Sequence, residues 1–196
     1  MKKIFTILLL SNLFYSAFAQ QTCSVFTEIP LRSVTTSVPR NECYYLRDTQ
    51  NELNNYIGIW KAIWNDRTTY VYIAKRVKYY DWVSQYYLDN LVIRFKTIAN
   101  NGTVLFDNTS LPDDKIKIEG LSFRKADDRY SLLYIDPDLC YTTGNIVINF
   151  INPAKTQLQW DYFQNKYEID SDCFFYNYPE DQLPRPLPGS AIFIKQ

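Results

Sequence analysis

The chain has 196 residues, in which 21 Lys and Arg balance 21 Asp and Glu, and it contains no histidine. Zero net charge gives no electrostatic case for nucleic acid or an anionic membrane. The missing imidazole removes Ser-His-Asp and Cys-His catalysis and every histidine-ligated metal site.

Lys2 and Lys3 precede an apolar run over 4–13, and Ala17-Phe18-Ala19 fits a small-x-small cleavage pattern. This predicts a secretory signal peptide over 1–19, since the run is too short to span a bilayer and a cleavage site follows it. Cleavage leaves 177 residues (196 less 19), which suits one domain. With Lys2 and Lys3 gone, 19 basic groups face 21 acidic ones. No later segment is long and apolar enough to cross a bilayer, so the expected location is the periplasm or the outside medium. Cys23, Cys43, Cys140 and Cys173 all follow the leader. An even count in an oxidising compartment predicts two disulfides. Three pairings are open, and proximity along the chain favours Cys23–Cys43 with Cys140–Cys173.

Residues 20–47 show no sustained period and carry Pro30 and Pro39. They read as an extended arm laid on the domain, with short strands near 23–27 and 32–37. Asp48 can cap a short N-terminal helix in which Leu53, Tyr56 and Ile57 share a face. Gly58 ends that helix. In the strand that follows, Trp60, Ala62 and Trp64 point one way and Ile59, Lys61 and Ile63 the other. Asn65-Asp66-Arg67 turns the chain, and 68–75 alternates again, with Tyr70 and Tyr72 opposite Val71 and Ile73. Residues 91–96 are the clearest strand. Asn100-Asn101-Gly102 is a hairpin signal of the type I′ kind, and 103–106 returns. Residues 115–123, 130–135, 146–151 and 157–163 read as further strands between Asp-, Asn- and Pro-rich turns. On the last of these, Leu158, Trp160 and Tyr162 oppose Gln157, Gln159 and Asp161. Residues 178–189 carry four prolines and read as an extended crossing segment, before a short strand over 191–195. Eight or nine strands without a βαβ rhythm predict one domain over 48–196. Its expected form is an antiparallel β-barrel, with a β-sandwich as the alternative.

The available chemistry is thin. Asp113-Asp114, Asp127-Asp128, Asp136-x-Asp138 and Asp170-x-Asp172 are the acid pairs open to a Ca²⁺ site or a two-carboxylate hydrolase. Each sits at a turn, where Asp bonds its own backbone, and no cofactor or metal is expected. The aromatic rows are the other candidate. Trp60 with Trp64, Tyr70 with Tyr72, and Trp160 with Tyr162 could line an apolar pocket in a small barrel, or could simply fill it.

Gly58-Ile59-Trp60, opening the first long strand, resembles the G-x-W signature of lipocalins. The resemblance implies a lipocalin-like barrel in which Gly58 and Trp60 are structural and Trp60 closes one end. The chain also resembles, over most of its length after the leader, a family of exported proteins of Gram-negative bacteria with no established activity. The segments that carry this likeness are 51–60, 87–91, 104–108, 134–140, 157–160 and 193–196. The expectation is a non-catalytic binding module for a small apolar ligand. An interaction protein of the cell envelope, using surface Tyr and the Pro-rich 178–188 segment, is the alternative, and a carboxylate-dependent hydrolase the third reading.

Overall fold

The computed structural model of the chain describes residues 23–33, 38–40, 42–165, 171–179 and 182–196. The predicted signal peptide, the start of the arm, most of the strand expected over 32–37, and Asp170 lie outside them. Among the described residues eleven strands join in one sheet. They are β1 (Thr27–Pro30), β2 (Tyr44–Arg47), β3 (Gly58–Trp64), β4 (Arg67–Asp81), β5 (Tyr86–Ala99), β6 (Val104–Asp107), β7 (Ile118–Phe123), β8 (Tyr130–Asp136), β9 (Thr142–Phe150), β10 (Gln157–Gln164) and β11 (Ser190–Lys195). Eight of them, β3, β4, β5, β7, β8, β9, β10 and β11, pair antiparallel in chain order, and β11 returns to β3. The result is a closed barrel, which removes the unpaired edges a sandwich would leave.

One edge of β5 carries three neighbours in succession. Tyr87 and Leu88 pair β2, Val92 and Ile93 pair β7, and residues 96–98 pair β6. Thus β6 lies beside the barrel rather than in it. The arm adds β2 and then β1, both in parallel register.

Local chemistry explains most turns, with two corrections. Asn65 and Asp66 both take positive φ, at 41° and 57°, and Trp64 faces Arg67 directly. The type I′ hairpin is therefore here, where the strand twist requires it. At 100–102 only Gly102 has positive φ, 87°, and its N–H donates to the Ala99 carbonyl at 2.9 Å. That turn is a type I turn closed by a glycine bulge. The second correction concerns the helix expected after Asp48, which is a single 3-10 turn over Glu52–Asn55. Asp48 still satisfies its first amides, accepting from Glu52 N at 2.9 Å and Leu53 N at 3.1 Å. Only four residues have the turn geometry, too few to bury an amphipathic face of their own, so packing of Leu53 and Tyr56 on the barrel end holds it.

Inward rows along the eight barrel strands form the core. Trp60, Phe95, Tyr130, Tyr134, Trp160 and Phe193 are all at most 2% exposed and occupy the space between the walls. Gly120 and Gly144 sit where a side chain would collide with Tyr130 and Tyr162 respectively, so the two rings lie flat across bare backbone. The barrel ends are closed by chain segments. The Glu52–Asn55 turn covers the Trp60 end. At the other end Pro186, Leu187 and Pro188 are buried, and the Pro186 carbonyl accepts from Thr97 Oγ1 at 2.8 Å. Both cysteine pairs form disulfides, Cys23–Cys43 and Cys140–Cys173, with Cα separations of 5.6 and 5.7 Å. Among the described residues no helix is long and apolar enough to cross a membrane.

Candidate functional site

The six aromatic residues singled out by sequence do not meet in one pocket. Trp60 and Trp160 are fully buried packing residues. Trp64 shares their side of the wall but lies at the far end of β3, half-buried, with its Nε1 donating to Thr69 Oγ1 at 2.8 Å. Tyr162 is half-buried and meets Tyr134 edge to face, ring centroids 5.7 Å apart. Tyr70 and Tyr72 lie on the outer face, because Thr69, Val71 and Ile73 occupy the inner row of β4. Trp60 Nε1 donates to the Tyr56 carbonyl at 2.8 Å, while Trp160 Nε1 is buried without a partner among the described residues.

Three of the acid pairs have members engaged by nearby side chains. Asp136 accepts from Asp138 N, from Tyr134 Oη at 2.7 Å and from Lys117 Nζ at 2.5 Å. Burial works against the Lys117 ammonium, but its bonds to Asp136 and Asp138 prevail and hold its pKa above the ordinary value. Asp113 pairs with Arg94. Among the described residues no cluster of acids or cysteines is arranged to hold a metal ion.

A cleft of about 350 Å³ opens instead over the Trp60 end. Its floor is aromatic: Tyr56 and Phe150 stack with centroids 4.3 Å apart, and Trp60 lies 6.1 Å beyond Phe150. Four segments supply the rim. Arg32 comes from the 3-10 turn Leu31–Ser33 of the arm, Glu52 and Asn55 from the second 3-10 turn, Asp127, Asp128 and Arg129 from the β7–β8 connection, and Lys155 from the β9–β10 connection. Arg32 clasps both Glu52 oxygens at 2.6 and 2.7 Å, pairs with Asp128, and lies 4.1 Å over the Phe123 ring. The Glu52 hydrogen bond raises its pKa further. Arg129 Nε meets Asp127 at 2.8 Å, and that bond holds the Asp127 carboxyl below the usual carboxylate range. A carboxylate kept ionised in this way is a poor general acid at neutral pH. Lys155 differs from both arginines. Its Nζ lies 5.8 Å over Phe150, and no carboxylate pairs with it among the described residues. The cleft thus offers one uncompensated ammonium, two amide side chains (Asn55 and Asn149) and flat rings.

Of the cleft residues only Asp127 and Asp128 stand out in the sequence, as one of its acid pairs. Arg32 was part of an unpatterned arm, and Lys155 part of a turn. The one other available signal was Tyr56, four residues before Trp60, whose carbonyl the indole needs.

Burial also sets the titration of the core phenols. It pushes Tyr56 up to about 12 and raises Tyr130 and Tyr134, the last helped by the Asp136 charge. Tyr45 is raised by burial and then by its 2.6 Å bond to Asp89. An unfolded Tyr ionises near pH 10. The stability these four contribute is therefore complete below about pH 10 and is lost as pH rises through the folded values. Alkaline titration followed by phenolate absorbance and circular dichroism checks this. These four should ionise together with loss of the fold.

A closed, eight-stranded antiparallel barrel with a core of buried aromatic and aliphatic side chains and a mixed polar and aromatic cleft at one end defines the class of this protein. The particular family is shown as well: the chain belongs to a family of unknown function, DUF6705, which it matches over residues 1–196. No curated protein and no solved structure matches it.

Proposed function

We propose that this is an exported, non-catalytic binding module whose end cleft holds a small anionic ligand with a ring or other flat face. The observation that carries the reading is Lys155 over Phe150 beside the stacked Tyr56. An ammonium without a carboxylate partner, above a ring, favours an anion that can also stack. The packed interior supports placing the ligand at the mouth rather than between the walls. Two disulfides and the leader over 1–19 support export, and the absence of histidine supports binding without catalysis.

Native mass spectrometry of the mature protein from its own source is the test, compared with its denatured mass. A small-molecule excess that is lost on denaturation is expected. Titration calorimetry with that molecule should then show Lys155→Ala and Phe150→Ala each weakening binding by about tenfold or more, 1.4 kcal/mol per decade. Unchanged affinity in both variants would remove the cleft from consideration.

A further inference from the structure

The outer wall of a small water-exposed barrel normally carries polar side chains, and most of this one does. The outward row of β10 runs Gln157, Gln159 and Asp161 before ending on the exposed Phe163, and that of β5 includes Arg94 and Lys96. Those polar rows also interrupt any lipid-facing apolar band around the barrel. The wall formed by β4, β3 and β11 is different. Ile59, Ile63, Ile192 and Ile194 are 43, 72, 48 and 43% exposed. Tyr70 and Tyr72 lie half-exposed beside them.

At the centre of this patch stands Lys61. Its register partners are Ile194 on β11 and Tyr70 on β4, and Ile59 and Ile63 flank it along β3. Continuing the β3–β11 register sets Ile192 beside Ile63. Lys61 Nζ lies 5.8 Å from the Tyr70 ring, and among the described residues no carboxylate pairs with it. The neighbouring cations are neutralised: Lys96 by Asp107 at 3.1 Å and Arg94 by Asp113 at 2.7 Å. Four isoleucines and two tyrosine rings therefore surround one uncompensated ammonium on the outer face of the sheet.

We infer that this face docks a protein segment that presents a carboxylate flanked by apolar side chains. Charge complementarity selects the occupant. A partner carboxylate meets Lys61 while its neighbours cover the isoleucines, and burying the pair strengthens it. A second copy of the chain about a two-fold axis here would set Lys61 against Lys61 in a drying interface, which is repulsive. The inference is independent of the end cleft, which is built from other strands and loops.

A displayed random-peptide library, selected on the mature protein and counter-selected on Lys61→Glu, tests it. Recovered peptides are expected to carry Asp or Glu between apolar residues. In fluorescence anisotropy, a recovered peptide should bind Lys61→Glu and Ile63→Ser about tenfold or more weakly. A Glu→Lys version of that peptide should regain binding to Lys61→Glu. All the substituted side chains face outward, so each variant is expected to keep the wild-type thermal transition, and Lys61→Ala serves if one does not. Three results would overturn the inference. One is recovery of no peptide that distinguishes wild type from Lys61→Glu. Another is self-association in sedimentation velocity that Ile63→Ser abolishes. The third is binding to phosphatidylglycerol vesicles that depends on the same residues.

Discussion

Trp60→Ala is expected to lower the unfolding free energy by about 3–5 kcal/mol, the range for removing a large aromatic from a packed core. Trp60 is fully buried, supports Phe150 and thereby Tyr56, and bonds the Tyr56 carbonyl. Lys195 Nζ lies 5.2 Å over its ring. The substitution therefore opens a cavity directly under the cleft and strands an acceptor. Trp160 is equally buried, but its Nε1 has no partner among the described residues. Phe at position 60 leaves the Tyr56 carbonyl unpaired, whereas Phe at 160 removes an unsatisfied donor. Trp60→Phe is thus expected to cost more than Trp160→Phe. Urea denaturation of the three variants checks both statements, and a larger loss for Trp160→Phe would contradict the hydrogen-bond argument.

Asp48→Ala has the second large effect, about 3–5 kcal/mol, because it breaks a buried ion pair from one side. Asp48 is 5% exposed. Its carboxylate receives Lys75 Nζ at 2.8 Å as well as the amides of Glu52 and Leu53. Its own N–H donates to Asp89 Oδ2 at 3.0 Å. Asp89 in turn accepts from Tyr45 Oη and from Lys78 N. Four elements meet here: the arm, the 3-10 turn, β4 and β5. With Ala at 48, Lys75 keeps Asp89 at 4.0 Å as its only carboxylate and the Asn54 side-chain oxygen at 3.4 Å. The 3-10 turn also loses both acceptors at its start. Denaturation should show the stability loss, and hydrogen exchange should show faster exchange at Glu52 and Leu53. Stability within about 1 kcal/mol of wild type would mean that solvent already screens the pair.

Much of the wall was legible in the sequence, because alternation is a local property. Trp60, Ala62 and Trp64 do share a face, as do Leu158, Trp160 and Tyr162, since the side-chain period of a strand is two whatever it pairs with. Disulfide pairing by chain proximity also agreed with the structure. Periodicity does not say which face turns inward when both rows are apolar enough. On β4 the tyrosines are larger than Thr69, Val71 and Ile73, yet the smaller row went in. The interior of an eight-stranded barrel holds few rings, and Trp60, Phe95, Tyr134 and Trp160 had already taken that space.

The cleft was illegible for a different reason. Arg32, Tyr56, Asp128, Phe150 and Lys155 are spread over more than a hundred residues and belong to no shared pattern. Barrel closure and docking of the arm bring them together. The Pro-rich segment likewise reads as exposed until Leu187 is found buried in the barrel end.

By itself, then, the sequence determined a β-rich domain, its strand faces, most of its turns, and the lack of imidazole chemistry. Each of these depends on residues within a few positions of one another. The tertiary structure decided the closed register, which rings are buried inside, the position of the cleft, and the apolar outer face around Lys61. Those depend on which strands meet and how much volume they enclose, and only the folded chain fixes both.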